Sequence, residues 1–95
     1  MTGSLLRLYI AGDSTSSRRA EQNLDRLRAL LKTDTWTVEV IDVLANPERA
    51  EQAAILATPT LSYEHSGRAR RIVGDLSDTK RVLEFLGIEP KGGGA

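Results

Sequence analysis

Residues 36–61 constrain the fold of this chain more than any other stretch, because two extended runs there enclose one short helix signal. The first run, residues 38–44, is apolar and β-branched except at two acidic positions. Such a run is typical of a strand buried on both faces, as in the middle of a parallel or mixed sheet. The pair Asn46-Pro47 then predicts a helix, with the asparagine as N-cap and the proline at the first helical position.

The second extended run begins at a proline. The sequence Thr58-Pro59-Thr60 predicts that the second helix ends near Leu56 and that a third strand follows. The residue before a proline is biased toward extended conformations, and a proline just before a strand removes no ladder hydrogen bond. X–Pro bonds in folded proteins are cis in about 5–6% of cases. Both the cis and the trans form of this bond are compatible with the sequence.

Apolar periodicity and turn residues predict the other elements of a single domain. We expect a strand at residues 5–11, a helix from about 16 to 32, a second helix at 47–56, a hairpin of strands 60–64 and 68–73, and a last helix from about 77 to 86. Because a βαβ unit is right-handed with parallel strands, the order β-α-β-α-β-β-α predicts an α/β chain with a mixed four-stranded sheet, as in the thioredoxin-like fold. The domain is expected to span residues 1–95, with an ordered core at about 5–88 and a flexible tail at 89–95.

Charge and cysteine content exclude several classes of function. Thirteen basic and thirteen acidic residues give a formal net charge of +0, so no excess charge favours nucleic acid or an anionic membrane. The chain has no cysteine, which excludes disulfides, thiolate metal sites and dithiol chemistry. No apolar run approaches membrane-spanning length, and the N-terminus has no secretory pattern. We therefore expect a cytoplasmic protein without cofactor or metal that binds neither nucleic acid nor a membrane.

Catalytic hypotheses find few suitable residues. A thioredoxin-like enzyme would carry its reactive thiols in the loop after the first strand, and here residues 12–17 are Gly, Asp, Ser and Thr only. His65 is the only histidine and falls in the predicted hairpin turn, with no second His or Cys to complete a metal site. We expect no enzymatic activity. The basic cluster of Arg68, Arg70 and Arg71 is compatible with a solvated strand face, an acidic partner or a phosphate.

Four short motifs follow one another along the chain. They are Leu8-Tyr9-Ile10-Ala11-Gly12; Val40-Ile41-Asp42-Val43-Leu44 with Asn46-Pro47 and Ala50-Glu51; Ile55-Leu56-Ala57-Thr58-Pro59-Thr60-Leu61; and Arg70-Arg71-Ile72-Val73-Gly74-Asp75-Leu76-Ser77. Each motif is modest alone. Their order and spacing over residues 6–86 resemble the KaiB family of circadian clock proteins, of which this chain is identified as a divergent member.

The resemblance implies a non-enzymatic protein that binds another protein. KaiB proteins bind the ring-shaped ATPase KaiC and, in cyanobacteria, pass timing information to signalling partners. A KaiC-type ATPase is therefore the expected partner, and a sensor histidine kinase is an alternative one. The expected contact region is the second strand, the second helix and the Thr58-Pro59 corner. The expected partner-binding residues are Val38, Glu39, Glu48, Glu51, Ala54 and Arg70.

Two of these positions depart from the family pattern. Glu39 and Ala54 each stand where family members often carry lysine. An acidic or neutral residue thus replaces a basic one on the surface that would face KaiC, which alters charge complementarity. Residues 64–68 also lack the proline-rich sequence of many family members, which favours a tight hairpin and with it the thioredoxin-like fold.

The resemblance also implies two alternative folds. In the family, one state is thioredoxin-like and binds KaiC, whereas in the other the C-terminal half refolds and the protein assembles as a tetramer. A monomer and a homo-tetramer are therefore both open. The residues expected to take part in this switch or to shape the backbone beside it are Thr58, Pro59, Gly74, Asp75 and Leu76. The competing hypothesis is a stand-alone thioredoxin-like interaction module with one fixed fold, linked to a sensor kinase or a stress pathway.

Overall fold

The computed structural model describes residues 3–30 and 36–87. Its elements follow the predicted order: β1 (Ser4–Ile10), α1 (Thr15–Leu30), β2 (Trp36–Asp42), α2 (Pro47–Gln52), β3 (Thr60–His65), β4 (Arg68–Val73) and α3 (Thr79–Leu86). Within these ranges the strands form a four-stranded sheet in the order β2-β1-β3-β4. β1 runs parallel to β2 and antiparallel to β3, and β3 runs antiparallel to β4. The predicted mixed sheet is confirmed.

β1 is a central strand of the sheet and organises the core. Its alternating residues Leu6, Leu8 and Ile10 are buried and share one face, which we call the helix face because α1 and α3 pack on it. The two helices contribute small and aliphatic side chains to the same core: Ala20, Leu24, Leu27, Val82, Leu83 and Leu86. These residues recur at helical spacing, so one apolar stripe of each helix closes the core.

The position of β2 corrects the prediction of a strand buried on both faces in the middle of the sheet. β2 lies at the edge, and Ile41 is its one buried residue, while Val40 is 43% exposed. The strand also ends at Asp42, so Leu44 belongs to the following loop. The prediction failed because an edge strand still covers part of the core with one face, and an apolar β-branched run suits that place as well as a central one.

α2 is shorter than predicted. It ends at Gln52 rather than near Leu56. Soon after, Ala54 adopts a φ of 54°, a left-handed conformation that does not continue a helix. The predicted N-cap position of Asn46 is confirmed, but its side chain makes no cap hydrogen bond. The Asn46 Nδ2 group donates instead to the Asp42 carbonyl at 3.1 Å.

The other predicted elements differ from the observed ones only at their ends. α3 begins at Thr79, with Asp78 as N-cap accepting a hydrogen bond from the Arg81 N–H, and Gly87 in a left-handed conformation ends it as predicted. The end predicted for the first helix at residue 32 and the flexible tail predicted at 89–95 lie outside the described residues. No helix in the described part of the chain is long and apolar enough to cross a membrane.

The β3–β4 hairpin turns at Ser66 and Gly67. Their φ angles are 53° and 77°, the pair of positive values that a two-residue type I′ turn requires. His65, predicted to lie in the turn, instead ends β3, and its Nδ1 atom lies 2.9 Å from the Ser4 hydroxyl oxygen. The turn therefore leaves the register of the two strands unbroken up to their last pair.

The corner before β3 contains a cis peptide bond between Thr58 and Pro59. The Pro59 carbonyl accepts a hydrogen bond from the Gly74 N–H at 2.9 Å. The Thr60 hydroxyl donates to the Ala57 carbonyl at 2.6 Å. Of the two forms compatible with the sequence, the structure has the cis form, placed beside the end of β4.

Candidate partner-binding surface

The sheet face opposite the core carries polar and charged side chains. In the register of the sheet, Arg7 and Tyr9 on β1 share this face with Glu39 on β2 and with Ser62 and Glu64 on β3. We call it the charged face. α2 lies over it and leaves an open groove of about 350 Å³ that is lined by residues of α2, β1, β3 and β4. The groove is polar and open to solvent, unlike the closed core on the helix face.

Glu39 links the edge of the sheet to α2. Its carboxylate accepts hydrogen bonds from Arg7 Nε at 3.0 Å and from Arg49 Nη1 and Nη2 at 3.0 and 3.3 Å. Arg7 also reaches the Glu64 carboxylate with Nη1 at 2.8 Å. α2 itself buries no residue. Hydrogen bonds to Glu39 therefore join α2 to the edge of the sheet.

The two guanidinium groups hold the pKa of Glu39 below its usual range. The hydrogen bond from Arg49 is the main cause, the one from Arg7 comes next, and partial desolvation opposes them. The same contact with Glu39 raises the pKa of Arg49. Glu39 is therefore ionised at a lower pH than an ordinary glutamate, and its charge is balanced within the chain.

The stabilisation from Glu39 is expected to depend on pH. Its folded-state pKa lies below the unfolded value of about 4.3, so the contribution is present above that value and is lost as the pH falls through the folded-state pKa. The gap in urea midpoint between the chain and its Glu39→Gln variant should be widest near neutral pH and should close below about pH 4. Glu84→Gln is the matched control, because Glu84 is exposed and belongs to none of the ion pairs among the described residues. A Glu39→Gln gap that stays constant with pH would contradict the network.

Asp42 fixes the loop that leads from β2 into α2. Its Oδ1 atom accepts hydrogen bonds from the backbone N–H groups of Gly12 and Leu44, both at 2.9 Å. Its carbonyl accepts from the Asn46 N–H at 2.9 Å. One residue thus joins the loop after β1 to the start of α2 and holds the loop in which Leu44 is exposed.

Two aliphatic side chains are exposed on either side of α2. Leu44 before the helix is 71% exposed, and Leu56 after it is 96% exposed. Single exposed aliphatic residues are ordinary on a protein surface. Two of them beside a helix that has no buried residue form a candidate surface for another protein. We call residues 38–59, which include the cis-proline corner, the α2 surface.

The structure brings together most of the residues predicted to bind a partner. Glu39, Glu48, Glu51 and Ala54 all lie on the α2 surface, and Glu48 and Glu51 are exposed. Val38 belongs to the same strand as Glu39, but it is half-buried and packs against the core on the helix face. Val38 therefore contributes mainly to the fold, and the others are accessible to a partner.

Arg70 lies apart from the other predicted residues. It is on β4, at the opposite edge of the sheet from β2, and it donates a hydrogen bond to the Phe85 carbonyl. Its guanidinium carbon lies 5.2 Å from the ring centroid of Phe85 and 6.0 Å from that of Tyr63. Its neighbour Arg71 donates to the carbonyls that follow α2. The strand β4 therefore touches the end of the α2 surface through Arg71, and Val73 lines a groove with residues 54–57.

Reasoning from the sequence missed Arg7, Arg49 and Glu64, which complete the network around Glu39. Arg7 and Glu39 are 32 positions apart and meet because the β1–β2 register places them opposite each other. The spacing of residues along the chain does not predict that pairing. The available signal is an arginine inside an otherwise apolar central strand, since a charge there needs a partner on a neighbouring strand.

Residues 74–76, predicted to take part in fold switching, form a sharply bent connection between β4 and α3. Gly74 has a φ of 132° and Leu76 a φ of 66°, and the positive value is strained for a residue with a side chain. The Asp75 carbonyl accepts a hydrogen bond from Asn23 Nδ2 at 2.8 Å. Hydrogen bonds from Ser77, first its side chain and then its N–H, lower the pKa of Asp75. The connection is thus held to α1 by a polar contact.

The chemistry that the α2 surface offers is noncovalent contact. It presents carboxylates, guanidinium groups and aliphatic side chains, and the chain has no cysteine. Within residues 3–30 and 36–87, no three His, Asp or Glu side chains lie together as metal ligands. Groups of this kind form ion pairs, hydrogen bonds and apolar contacts with another protein.

The family model described as KaiB domain matches residues 7–88 of the chain. The chain belongs to the KaiB family. Its relatives include the circadian clock protein KaiB3 of Synechocystis sp., which is 44% identical over 92 residues that cover 97% of this chain and 90% of the relative. The circadian clock oscillator protein KaiB of Prochlorococcus marinus is 50% identical over 87 residues, covering 88% of this chain and 72% of the relative. The family predicted from the motifs is confirmed.

Solved structures similar to this KaiB-family chain confirm the thioredoxin-like fold. The N-terminal domain of Synechococcus elongatus SasA matches with a TM-score of 0.69 at 22% identity, covering 90% of this chain and 84% of that one. Mitochondrial thioredoxin 3 from Saccharomyces cerevisiae matches with a TM-score of 0.74 at 16% identity, covering 88% of this chain and 76% of that one. At such identities the likeness shows the fold alone. The KaiB clock proteins to which the chain belongs are, as a group, regulators.

Proposed function

We propose that this KaiB-family chain is a non-enzymatic, cytoplasmic adaptor that binds a KaiC-type ATPase ring through the α2 surface. The observation that carries the proposal is a helix that buries no residue, with Leu44 and Leu56 exposed on either side of it. A helix without a buried stripe adds little to the core. Its place over the charged face is better explained by what it presents to a partner. Membership in the KaiB family supplies the class of partner.

The charges of the α2 surface support a partner with basic or neutral groups at the point of contact. Glu48 and Glu51 are exposed on α2, and neither belongs to an ion pair among the residues that the structure describes. Glu39, in contrast, is balanced by Arg7 and Arg49. Complementary charge across an interface sets the association rate and the choice of partner. An acidic partner surface is therefore disfavoured opposite Glu48 and Glu51.

Size-exclusion chromatography with light scattering tests the proposal. The chain is mixed with the KaiC-type ATPase of the same organism, once with ATP and once with ADP, and a complex is expected to co-elute in one nucleotide state. Leu44→Ala should weaken that complex at least about tenfold, because it removes three aliphatic carbons and each CH₂ buried at the interface contributes about 0.8 kcal/mol. Leu30→Ala is the matched control, since Leu30 is 54% exposed at the end of α1, and the affinity should not change.

Charge reversal at Glu39 gives a second readout of the same interface. Glu39→Lys breaks the bridge to α2 and places a third cation beside Arg7 and Arg49, so it should change the affinity more than Glu39→Gln does. Absence of a complex in every nucleotide state would refute the ATPase-binding proposal. The alternative is then the stand-alone thioredoxin-like module linked to a sensor kinase or a stress pathway.

We also propose that residues 74–76 are where the chain changes between the thioredoxin-like fold and the tetrameric fold of the family. The positive φ of Leu76 supports this, because such a backbone position costs a residue with a side chain about 1–3 kcal/mol and a switch needs two packings only a few kcal/mol apart. Backbone chemical shifts test which state dominates. Extended shifts over residues 62–73 are expected, and mainly helical shifts there would contradict the dominance of the thioredoxin-like state.

A further inference from the structure

β4 forms the second edge of the sheet, and its side chains are exposed. In the described part of the chain β4 pairs with β3 alone, and Ile72 is buried while the other five residues of the strand are exposed. An edge strand leaves a row of backbone N–H and C=O groups without partners, which is a template for another strand. The α2 surface meets this edge where residues 54–57 line a groove with Arg71 and Val73.

The alternation of hydrogen bonds between β3 and β4 shows which β4 residues direct their backbone N–H and C=O groups away from the sheet. The Gly74 N–H donates to the Pro59 carbonyl, so these two residues form a hydrogen-bonded pair that continues the β3–β4 register. Such pairs alternate with non-hydrogen-bonded pairs in an antiparallel ladder. The even-numbered residues of β4 therefore direct their backbone groups to β3. Ala69, Arg71 and Val73 direct theirs away from the sheet.

The same strand concentrates positive charge. The ion pairs among the described residues involve Arg7 and Arg49, and none of them includes Arg68, Arg70 or Arg71. The last two donate to main-chain carbonyls, which accept hydrogen bonds without neutralising the charge. Three arginines on one edge repel a second copy of the same strand. They attract an acidic strand instead.

A groove lies on each side of this edge. On the helix face, Tyr63, His65, Arg68 and Arg70 line a groove of about 210 Å³. On the charged face, a mostly aliphatic groove of about 180 Å³ runs between the loop after α2 and Val73. Successive side chains of an added strand point to alternate faces of the sheet. One set would therefore meet arginines and aromatic rings, and the other would meet aliphatic side chains and Arg71.

We propose that the β4 edge binds an extended, acidic segment of a partner protein by strand addition. Carboxylates on one side of the segment face Arg68 and Arg70. Apolar side chains on its other side enter the groove beside Val73, and its backbone pairs with Ala69 and Arg71. Strand addition takes affinity from backbone hydrogen bonds and specificity from pockets for alternate side chains. β4 and β2 are opposite edges of the sheet, but the groove beside Val73 shares residues 54–57 with the α2 surface. Arg68 lies on the other face, so substitutions there separate this proposal from ATPase binding.

An NMR titration of the whole chain with a defined peptide tests the proposal. The probe is a capped peptide of alternating glutamate and valine with the length of β4, six residues, added up to about 1 mM. Amide shifts are expected to concentrate at Ala69, Arg71 and Val73. Arg68→Glu should weaken binding about fivefold, as expected for an exposed charge pair that becomes repulsive. Arg18→Glu on α1 is the matched control and should leave the affinity unchanged.

Two backbone variants separate strand addition from attraction by charge alone. Ala69→Pro removes an N–H that points away from the sheet, which an edge strand tolerates, and it should lower the affinity at least about fivefold through the lost hydrogen bond. Arg68→Pro removes an N–H directed to β3 and should instead reduce the stability of the fold. If Ala69→Pro does not fold, the same question is answered by N-methylating the peptide at alternate residues, where only one of the two alternating sets should abolish binding.

Three results would overturn the proposal. The first is the absence of shifts at the β4 edge with the peptide at about 1 mM. The second is equal affinity for the peptide and its N-methylated forms, which would indicate a contact by charge alone. The third is tighter binding of an oligonucleotide of equal charge, which would assign the arginines to nucleic acid. ATPase binding is measured separately with Arg68→Glu and is expected to be unchanged.

Discussion

Replacing Leu8 with alanine is expected to lower the free energy of unfolding by about 3–5 kcal/mol. Leu8 is 0% exposed and lies on the helix face of a central strand, opposite the equally buried Leu61 of β3. The substitution removes buried aliphatic groups and leaves a cavity that the flanking strands cannot fill. For a chain of 95 residues the total stability is about 5–14 kcal/mol. The substitution should therefore remove a large fraction of the total stability.

Urea denaturation followed by circular dichroism measures the effect of Leu8→Ala. Leu56→Ala is the matched control, because Leu56 undergoes the same chemical change while 96% exposed. Its effect on stability should stay within about 0.5 kcal/mol. Equal losses for the two variants would contradict the packing of β1 on the helix face.

Replacing Asp42 with alanine is expected to cost about 2–3 kcal/mol of stability and to weaken ATPase binding. The Asp42 carboxylate accepts hydrogen bonds from two backbone N–H groups, those of Gly12 and Leu44. One of them lies in the loop after β1 and the other in the loop before α2. Without this acceptor the two loops separate, and α2 loses its fixed start. Unlike the substitution of Leu8, the substitution of Asp42 is expected to disturb the α2 surface directly.

Asp42→Asn separates the hydrogen bonds of Asp42 from its charge. The amide keeps an oxygen where Oδ1 accepts the two hydrogen bonds, so most of the stability should be retained. Thermal melts report the fold, and co-elution with the ATPase reports the surface. If Asp42→Ala and Asp42→Asn lose equal stability, the charge rather than the hydrogen bonding is responsible, and the account of the loop is wrong.

The element order and the core were predictable from the sequence because local signals determine them. Apolar residues at helical spacing, such as Leu24 and Leu27, point to a common face of α1 whatever surrounds it. Ser66-Gly67 sets a tight turn by backbone preference alone. The place of β2 in the sheet was not predictable. An edge strand has one neighbouring strand and a central strand has two, and the composition of β2 does not reveal which applies.

The candidate site was predictable only in part. Glu39, Glu48 and Glu51 followed from the resemblance to a family, and the structure brings them to one surface. Arg7 and Arg49 did not follow from the sequence. Arg7 meets Glu39 because of the β1–β2 register, and Arg49 meets it because α2 lies close to β2. Arg70 was also predicted to bind a partner, but the sheet places it at the opposite edge from Glu39.

The shallow attachment of α2 has an evolutionary consequence. Because the helix buries no residue, mutations at its outward positions escape selection for packing, and under the proposed function they are selected only through their effect on partner binding. The sequence of α2 can therefore change during evolution while the leucine residues of β1 in the core stay the same. Related chains of equal stability are then free to drift toward different partners, and Glu48 and Glu51 are the places where such divergence should appear first.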